Sequence, residues 1–422
     1  MNIFDIDKWQ EIFTVLKKNK LRTFLTAFGV FWGIFMLVIM LGSGKGLENG
    51  VKQGMGDMAT NSMFMWTQRT TVPYKGLPRG RHYNFKNDDV EALKTSIPEI
   101  KNIAPRLQGG GFRGADNVVR GTETGAFNIF GDYPDIFEID PVKILEGRFL
   151  NILDINEKRK IAVIGDRVRD VLFKASENPI GEYIRIQGVY FKVVGVFRSK
   201  KSGRDVERES NSIFIPLTTL QQAYNYGDVI GWFAITSIDN VPVTDVEEKV
   251  IALVKSRHNI AQEDTRAVGH FNVEKEFIKM NGLFKGINGL IWIVGIGTLL
   301  AGVIGVSNIM LIVVKERTKE IGIMRAIGAT PVNIISQIII ESVFLTTISG
   351  YVGLVVGVGL VELIDYLLIT SGANTEMFMN PEVNFNVAMS ALIVLIVSGA
   401  FAGLIPAKRA VSIRPVQALH DE

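Results

Sequence analysis

Cysteine is absent from this sequence, and histidine occurs only four times. Without cysteine, no disulfide bond can stabilise a folded domain, so any such domain is held together by non-covalent packing. A metal site needs several convergent donors at a suitable spacing, and these histidines are scattered along the chain. We therefore expect no metal site and take each of them as an ordinary surface or hydrogen-bonded residue. The four are His82, His258, His270 and His420.

Charged residues are missing from four long stretches, at 23–44, 286–314, 342–361 and 383–407. A helix needs about 20 apolar residues to cross the hydrocarbon core of a bilayer. A buried helix of a soluble protein rarely stays apolar on every side for that length. The sequence therefore predicts an α-helical membrane protein with four transmembrane helices. We place them at 23–44, 286–314, 334–369 and 383–407.

The distribution of Lys and Arg predicts how the chain crosses the membrane. Basic residues near a span favour the cytoplasmic side. They precede the first span, lie between the second and third, and follow the fourth, whereas 370–382 has none. We predict that both termini and the loop 315–333 are cytoplasmic, and that 45–285 and the short loop 370–382 lie outside. The residues used are Lys8, Lys17, Lys18, Lys20, Arg22, Lys315, Arg317, Lys319, Arg325, Lys408, Arg409 and Arg414.

The two ends of the chain are assigned to the cytoplasm on the same grounds. Residues 1–22 have apolar residues at helical spacing, with lysines away from them, so we predict an amphipathic helix lying on the inner leaflet. The apolar run that follows is longer than that of a signal peptide and no cleavage site follows it, so we expect an uncleaved anchor. Residues 408–422 are expected to form a cytoplasmic tail.

The external segment 45–285 is predicted to be a large mixed α+β domain inserted between the first and second spans. Short apolar runs at 161–165, 183–187, 190–197 and 212–216 indicate strands, and helical patterns recur at 88–96, 218–224 and 243–255. The charged stretch 198–211 is predicted to be a mobile loop. Charges at helical spacing in 273–285 predict a stalk that continues into the second span. The domain has 34 basic and 31 acidic residues, a balance that does not favour nucleic-acid binding.

Small residues recur four positions apart within the predicted spans. In lipid this spacing lets helix backbones approach closely, so we predict helix packing at these positions, within one chain or between two copies. The pairs are Gly29 and Gly33, Ala301 and Gly305, Gly353 and Gly357, and Gly399 and Gly403.

The sequence offers no pattern typical of a catalytic residue, a cofactor site or a metal site. The run around Lys45 has several glycines, but a phosphate-binding loop needs a Gly six residues before the Lys and a Ser or Thr after it. Ile39 and Gly46 stand there instead. Glu341 is the one acid expected at membrane depth. Such a residue suggests an ion relay, but we expect it to pair with Arg325 or Lys408.

The predicted cytoplasmic loop carries the most informative motif. Residues 308–329 read NIMLIVVKERTKEIGIMRAIGA, which closely resembles the signature of the MacB-type and FtsX-like permeases of the ABC superfamily. The segments 16–34 and 403–422 resemble the first span and the C-terminal end of that family. Residues 147–154, 161–165 and 178–197 resemble its periplasmic core domain.

The resemblance implies an ABC permease of the bacterial inner membrane that is not itself an enzyme. Family members can carry their ATPase on the same polypeptide, whereas this sequence starts with the permease part. The expected partners are therefore two copies of a separate ATPase that binds ATP and Mg, a second permease, and a periplasmic adaptor with an outer-membrane channel. The expected ATPase-coupling residues are Glu316, Arg317, Lys319, Glu320, Ile321, Gly322, Arg325 and Gly328. Arg325 stands one place later than the basic residue of many exporters.

The loop itself favours this role on physical grounds. Charged residues alternate with Ile321, Ile323 and Ala326, which predicts a short amphipathic helix able to dock into a partner's groove. A solvated loop would explain the charges but not the interleaved apolar residues. Gly322 and Gly328 would permit close approach and a sharp exit to the next span.

The expected function is export of a drug, peptide or lipid-like substrate by mechanotransmission, in which ATP hydrolysis moves the external domain. A lipoprotein-releasing permease is an alternative with the same number of spans. An FtsX-like regulator of a cell-wall hydrolase is another, although its external domain is usually smaller than about 240 residues. A secondary transporter would need polar or broken helices at the bilayer midplane, and these spans offer none.

Overall fold

The computed structural model describes residues 20–54, 57–110, 116–201, 203–370, 378–383 and 385–412. The predicted amphipathic helix at 1–22 and the predicted tail at 408–422 lie largely outside these residues. The chain divides into two compact units, one from Lys52 to Gly282 and the other from the flanking segments Met1–Val51 and Leu283–Glu422.

The described residues contain twelve helices and thirteen strands. In chain order the helices are α1 (Lys20–Gly54), α2 (Asn87–Ser96), α3 (Ile136–Ile139), α4 (Ile152–Asn156), α5 (Asp166–Leu172), α6 (Arg204–Ser210), α7 (Leu217–Ala223), α8 (Val243–Arg257), α9 (Val273–Glu316), α10 (Thr318–Ala326), α11 (Pro331–Thr370) and α12 (Phe385–Val411). The strands are β1 (Ser62–Thr67), β2 (Phe85–Lys86), β3 (Ile100–Gln108), β4 (Asp116–Arg120), β5 (Glu123–Asp132), β6 (Lys143–Gly147), β7 (Ile161–Gly165), β8 (Tyr183–Ile186), β9 (Val189–Arg198), β10 (Ser212–Pro216), β11 (Val229–Ile230), β12 (Trp232–Ser237) and β13 (Val268–Asn272).

Four of these helices, α1, α9, α11 and α12, are long and apolar enough to cross a membrane. They contain the first three predicted spans, and α12 begins at Phe385 within the fourth, so the predicted fold class is confirmed: four membrane helices with a large mixed domain between the first and second. Their shared core is built from apolar side chains of all four helices. It includes Val30, Ile34, Leu37, Ile291, Leu299, Leu345 and Leu395.

The unit from Lys52 to Gly282 is built around a mixed sheet of eleven strands. The strand order is β10-β7-β9-β8-β4-β5-β3-β12-β1-β13, with β6 paired to β9. Because β10 also pairs with β5 in parallel, the first six strands of this order close on themselves. The rings of Phe85, Phe191 and Phe233 are fully buried in its main core.

The charged stretch 198–211 was predicted to be a mobile loop, and this prediction is wrong for its second half. Residues Arg204–Ser210 form helix α6. Its Glu209 accepts a hydrogen bond from Lys201 at 2.9 Å, and Lys201 also donates to Asp140 at 2.7 Å. Lys201 therefore connects the helix to Asp140, which lies 61 positions earlier in the chain than Lys201. Local sequence pattern does not reveal this connection.

Candidate functional site

Helix α10 lies directly after α9, from which only Arg317 separates it. The Arg317 backbone has φ −95° and ψ 17°, which ends one helix and starts the next. The Thr318 hydroxyl donates to the Lys315 carbonyl at 2.7 Å and reinforces this junction. No linker beyond this one residue separates the two helices.

The other end of α10 is closed by a glycine turn. Gly328 has φ +108°, a conformation that side-chain-bearing residues rarely adopt. The Ala329 N–H donates to the Met324 carbonyl at 2.9 Å, and the Gly328 N–H donates to the Arg325 carbonyl at 3.2 Å. This pair of bonds is the Schellman arrangement, which satisfies the last carbonyls of a helix. It lets α11 begin at Pro331.

Arg317 links α10 to α11. Its Nε lies 2.8 Å from Glu320 Oε2, and its Nη1 lies 3.1 Å from Glu341 Oε1. Glu341 is only 5% exposed on α11. The sequence had suggested Arg325 or Lys408 as the partner of Glu341, and the structure supplies Arg317 instead. Glu341 therefore belongs to the candidate site. It was not among the predicted coupling residues, because it lies 24 residues from Arg317 in the chain.

Arg325 joins α10 to the end of α12. Its Nη1 donates to the Val411 carbonyl at 2.7 Å. Beneath α10 the side chains of Arg317, Ile321 and Glu341 border a cavity of about 20 Å³, which is enough for a single water molecule. The helix is thus attached to three of the four long helices through α9, Glu341 and Val411.

The remaining predicted coupling residues divide by exposure. Ile321 and Gly322 are buried against the helical unit, whereas Glu316, Lys319 and Glu320 are exposed. Ile323 is 46% exposed, Ile327 is 82% exposed and Val332 is 69% exposed. We call these three side chains the α10 patch. Ile323 lies on α10, Ile327 directly follows its last residue, and Val332 lies in the first turn of α11. Their uncovered apolar surface is typical of a protein contact site.

The predicted small residues of α11 and α12 lie at close helix contacts. A Cβ atom added to Gly353 would lie 2.6 Å from the Phe31 carbonyl of α1, and one on Gly357 would lie 3.0 Å from Val38. A Cβ on Gly399 would collide with the Thr346 hydroxyl, and one on Gly403 would lie 2.9 Å from the Ser342 hydroxyl. These glycines allow helices of one chain to approach each other.

The pairs on α1 and α9 are placed differently. Gly33 lies against the Thr298 backbone, but on α9 it is Gly302 that packs against the Gly29 carbonyl. Ala301 is exposed, and a Cβ on Gly305 would meet nothing within 4 Å. All four predicted residues instead line an open groove of about 350 Å³ between α1 and α9. We call it the α1–α9 groove.

Within the described ranges, no group of three or more His, Asp or Glu side chains is placed to hold a metal ion. The candidate site consists of the α10 patch, the two arginines Arg317 and Arg325, and the buried Glu341.

Comparison with known proteins gives matches along almost the whole chain. The model of the MacB-like periplasmic core domain matches residues 23–253, and the model of the FtsX-like permease C-terminal region matches residues 292–415. The macrolide export ATP-binding/permease protein MacB of Vibrio parahaemolyticus is 28% identical over 98% of this chain and 60% of its own length. The pyoverdine export ATP-binding/permease protein PvdT of Pseudomonas fluorescens is 30% identical over 99% of this chain and 60% of its own length.

The chain therefore spans about 60% of the length of these curated relatives. Among solved structures, the periplasmic region of MacB from Actinobacillus actinomycetemcomitans covers 53% of this chain and 94% of its own length. That match has 21% sequence identity and a TM-score of 0.43.

Proposed function

We propose that this chain, which belongs to the family with a MacB-like periplasmic core domain, is the permease of an ATP-driven ABC exporter. The observation that carries the proposal is the α10 patch, the exposed apolar side chains on α10 and at its junction with α11. An ABC ATPase, which binds ATP and Mg, would dock on this patch from the cytoplasm.

The proposed coupling runs through helix α9. Nucleotide-driven movement of the ATPase would displace α10, and Arg317 would pass that displacement to α9 and, through Glu341, to α11. Helix α9 is a single element of 44 residues, Val273–Glu316. At 1.5 Å per residue it is about 66 Å long, twice the thickness of a bilayer core. A helix of that length can carry a mechanical stroke across the membrane without a passage for cargo through it.

The proposed localisation is the bacterial inner membrane, with the termini and α10 cytoplasmic and the Lys52–Gly282 unit periplasmic. The proposed cargo is a drug, peptide or lipid-like molecule, handled outside with a periplasmic adaptor and an outer-membrane channel. Two relatives bear the names of macrolide and pyoverdine exporters, which supports an organic molecule of moderate size. A second copy of the permease would complete the assembly.

The docking proposal is tested by Ile327→Asp, alone and with Ile323→Asp. A charge in the patch would oppose burial against the ATPase, so we expect ATPase co-purification and ATP-driven transport to fall at least about tenfold. The measurement is the amount of ATPase retained by the tagged permease from native membranes, followed by transport in proteoliposomes.

Leu153→Asp is the matched control, because Leu153 is 51% exposed but lies in the Lys52–Gly282 unit. It should leave ATPase association unchanged. Normal association and transport by the Ile327→Asp protein would show that the ATPase docks elsewhere.

A further inference from the structure

Helix α9 begins inside the Lys52–Gly282 unit, directly after strand β13. Asn272 is the last residue of β13 and immediately precedes the first residue of α9. Its Oδ1 accepts a hydrogen bond from the Lys275 backbone N–H at 2.9 Å, which is the contact of a helix N-cap. Asn272 is only 5% exposed. A buried side chain of the sheet therefore caps the first turn of α9.

Glu247, on helix α8, contacts the residues on both sides of this junction. Its Oε2 accepts a hydrogen bond from the Asn272 amide at 2.7 Å and another from the Lys275 ammonium at 2.7 Å. Its Oε1 lies 3.2 Å from Nε2 of His270 on β13. Glu247 is only 2% exposed, and a carboxylate is costly to bury unless charged or polar partners surround it. Here the partners come from the end of β13 and the start of α9.

A second carboxylate joins the same two helices in the opposite direction. Glu274, in the first turn of α9, accepts hydrogen bonds from the backbone N–H and from the hydroxyl of Thr244, each at 3.1 Å. Thr244 is the second residue of α8, where a backbone N–H has no partner within its own helix. The first turns of α8 and α9 are therefore joined by carboxylates from both helices.

Helix α8 is in turn packed into the core of the unit. At its far end, Asp89 of α2 lies 2.7 Å from the side chains of Arg257 and His258. Its inner face is made of side chains that are fully buried in the main core, those of Val243, Val246, Val250 and Val254. Helix α8 thus connects the first turn of α9 to the core of the Lys52–Gly282 unit.

We propose that Glu247 is a positioning residue for energy coupling: it fixes the start of α9 to α8, so that the Lys52–Gly282 unit follows a displacement of α9. The proposal rests on the proposed export function, in which α9 carries the stroke. Without Glu247, the first turn of α9 would move relative to α8 and the sheet. ATP hydrolysis would continue, but the Lys52–Gly282 unit would no longer follow the helix.

The attachment is tested in the purified full-length chain, without ATPase or nucleotide. Because the chain has no cysteine, nitroxide labels react only at Glu248→Cys on α8 and Lys279→Cys on α9, which are both exposed positions. Labelled chains are diluted with unlabelled ones, and pulsed electron paramagnetic resonance measures the distance between the two labels. We expect a narrow distance distribution that becomes at least about twofold wider in Glu247→Ala. Glu247→Gln can still accept one hydrogen bond and should widen it less.

Asp89→Asn is the matched control for a loss of stability. Asp89 is also 2% exposed and is also paired with a basic residue and a histidine, but these partners lie at the end of α8 away from α9. It should lower the unfolding midpoint and leave the distance distribution unchanged. The double variant Glu274→Ala/Lys275→Met removes both side-chain contacts of α9 at positions that are not buried. It should widen the distribution, and it decides the question if Glu247→Ala does not fold. An unchanged distribution in the folded variants would overturn the proposal.

Transmission is tested by adding ATP and the ATPase that co-purifies with the tagged permease. In the unmodified protein the distance should stay constant, since α8 and α9 would move as one body. In Glu247→Ala we expect ATP to shift the mean distance, because α9 would move while α8 stays, whereas Asp89→Asn should behave as the unmodified protein does. A distance that changes with ATP in the unmodified protein, or that is the same with and without ATP in Glu247→Ala, would refute the coupling role. Absence of any associated ATPase would instead contradict the proposed function and leave the attachment measurement valid.

Discussion

At the scale of single residues, Asp154 shows how one carboxylate serves both a helix and an ion-pair cluster. Its oxygens accept hydrogen bonds from Arg148 at 2.6 and 3.0 Å and from the Asn151 backbone at 3.0 Å, at the start of α4. Burial alone would raise the pKa of Asp154. The hydrogen bonds from Arg148 and Asn151, with the nearby positive charges, outweigh it and lower that pKa.

The lowered pKa of Asp154 predicts how the stability of the folded state depends on pH. The folded state holds the ionised form, so Asp154 contributes stability that is present above its unfolded pKa near 4 and is lost as pH falls through the lower folded value. We expect Asp154→Asn to reduce the free energy of unfolding by about 2 kcal/mol at pH 7, a value discounted because the Arg148 side chain is 42% exposed.

Unfolding of the full chain in detergent, followed by circular dichroism from pH 7 to pH 3, checks this prediction. The difference between variant and unmodified protein should shrink below pH 4. Asp170→Asn is the control, because the Asp170 side chain is 64% exposed and its loss should change little at any pH. A difference that stays constant down to pH 3 would contradict the assigned sign.

At the scale of elements, the turn that ends α10 determines the direction in which the chain continues. The Schellman bonds at Gly328 set the angle at which the chain enters α11, while Arg317 and Arg325 attach α10 to its neighbours. The helix is short, with nine residues, and helices of this length are not stable by themselves. Its position therefore depends on these attachments. A helix held in this way is suited to the proposed role of transmitting movement of the ATPase.

Gly328→Ala tests the importance of that turn. A Cβ at φ +108° costs about 1 kcal/mol or more, although no neighbouring atom lies within 4 Å of the added carbon. We expect α10 to shift and ATP-driven transport in proteoliposomes to fall several-fold, with insertion of the chain in the membrane unchanged. Asn tolerates positive φ better than Ala, so Gly328→Asn should retain more transport than Gly328→Ala. The reverse order would refute the role of backbone strain.

At the scale of the whole molecule, the α1–α9 groove offers a surface on which a second copy would pack. Its small residues leave a furrow bordered by the exposed side chains of Phe28 and Trp32. A furrow of small residues lets another helix backbone approach closely in lipid. We propose that a helix of the second copy fills this groove.

Gly305→Leu separates this proposal from a folding defect. The added side chain meets nothing within 4 Å of its Cβ position, so the single chain should fold normally. It would fill the groove, and we expect the dissociation constant of the dimer to rise at least about tenfold, measured by light scattering in detergent. Gly359→Leu is the control, since its Cβ also meets nothing and it lies outside the groove. The same dimer affinity in all three proteins would exclude the groove as the interface.

The sequence by itself determined the four membrane helices and several strands of the external unit. A run of twenty uncharged residues is a local property, and so is the apolar run of β7, which the structure places at Ile161–Gly165 as predicted. The tertiary structure alone decided the partner of Glu341, the bond from Arg325 to Val411, helix α6 and the closure of β10 on β5. Each of these depends on residues far apart in the chain. Periodicity reports what a segment does with its own neighbours, whereas ion pairs, strand order and cavities arise only when distant segments meet.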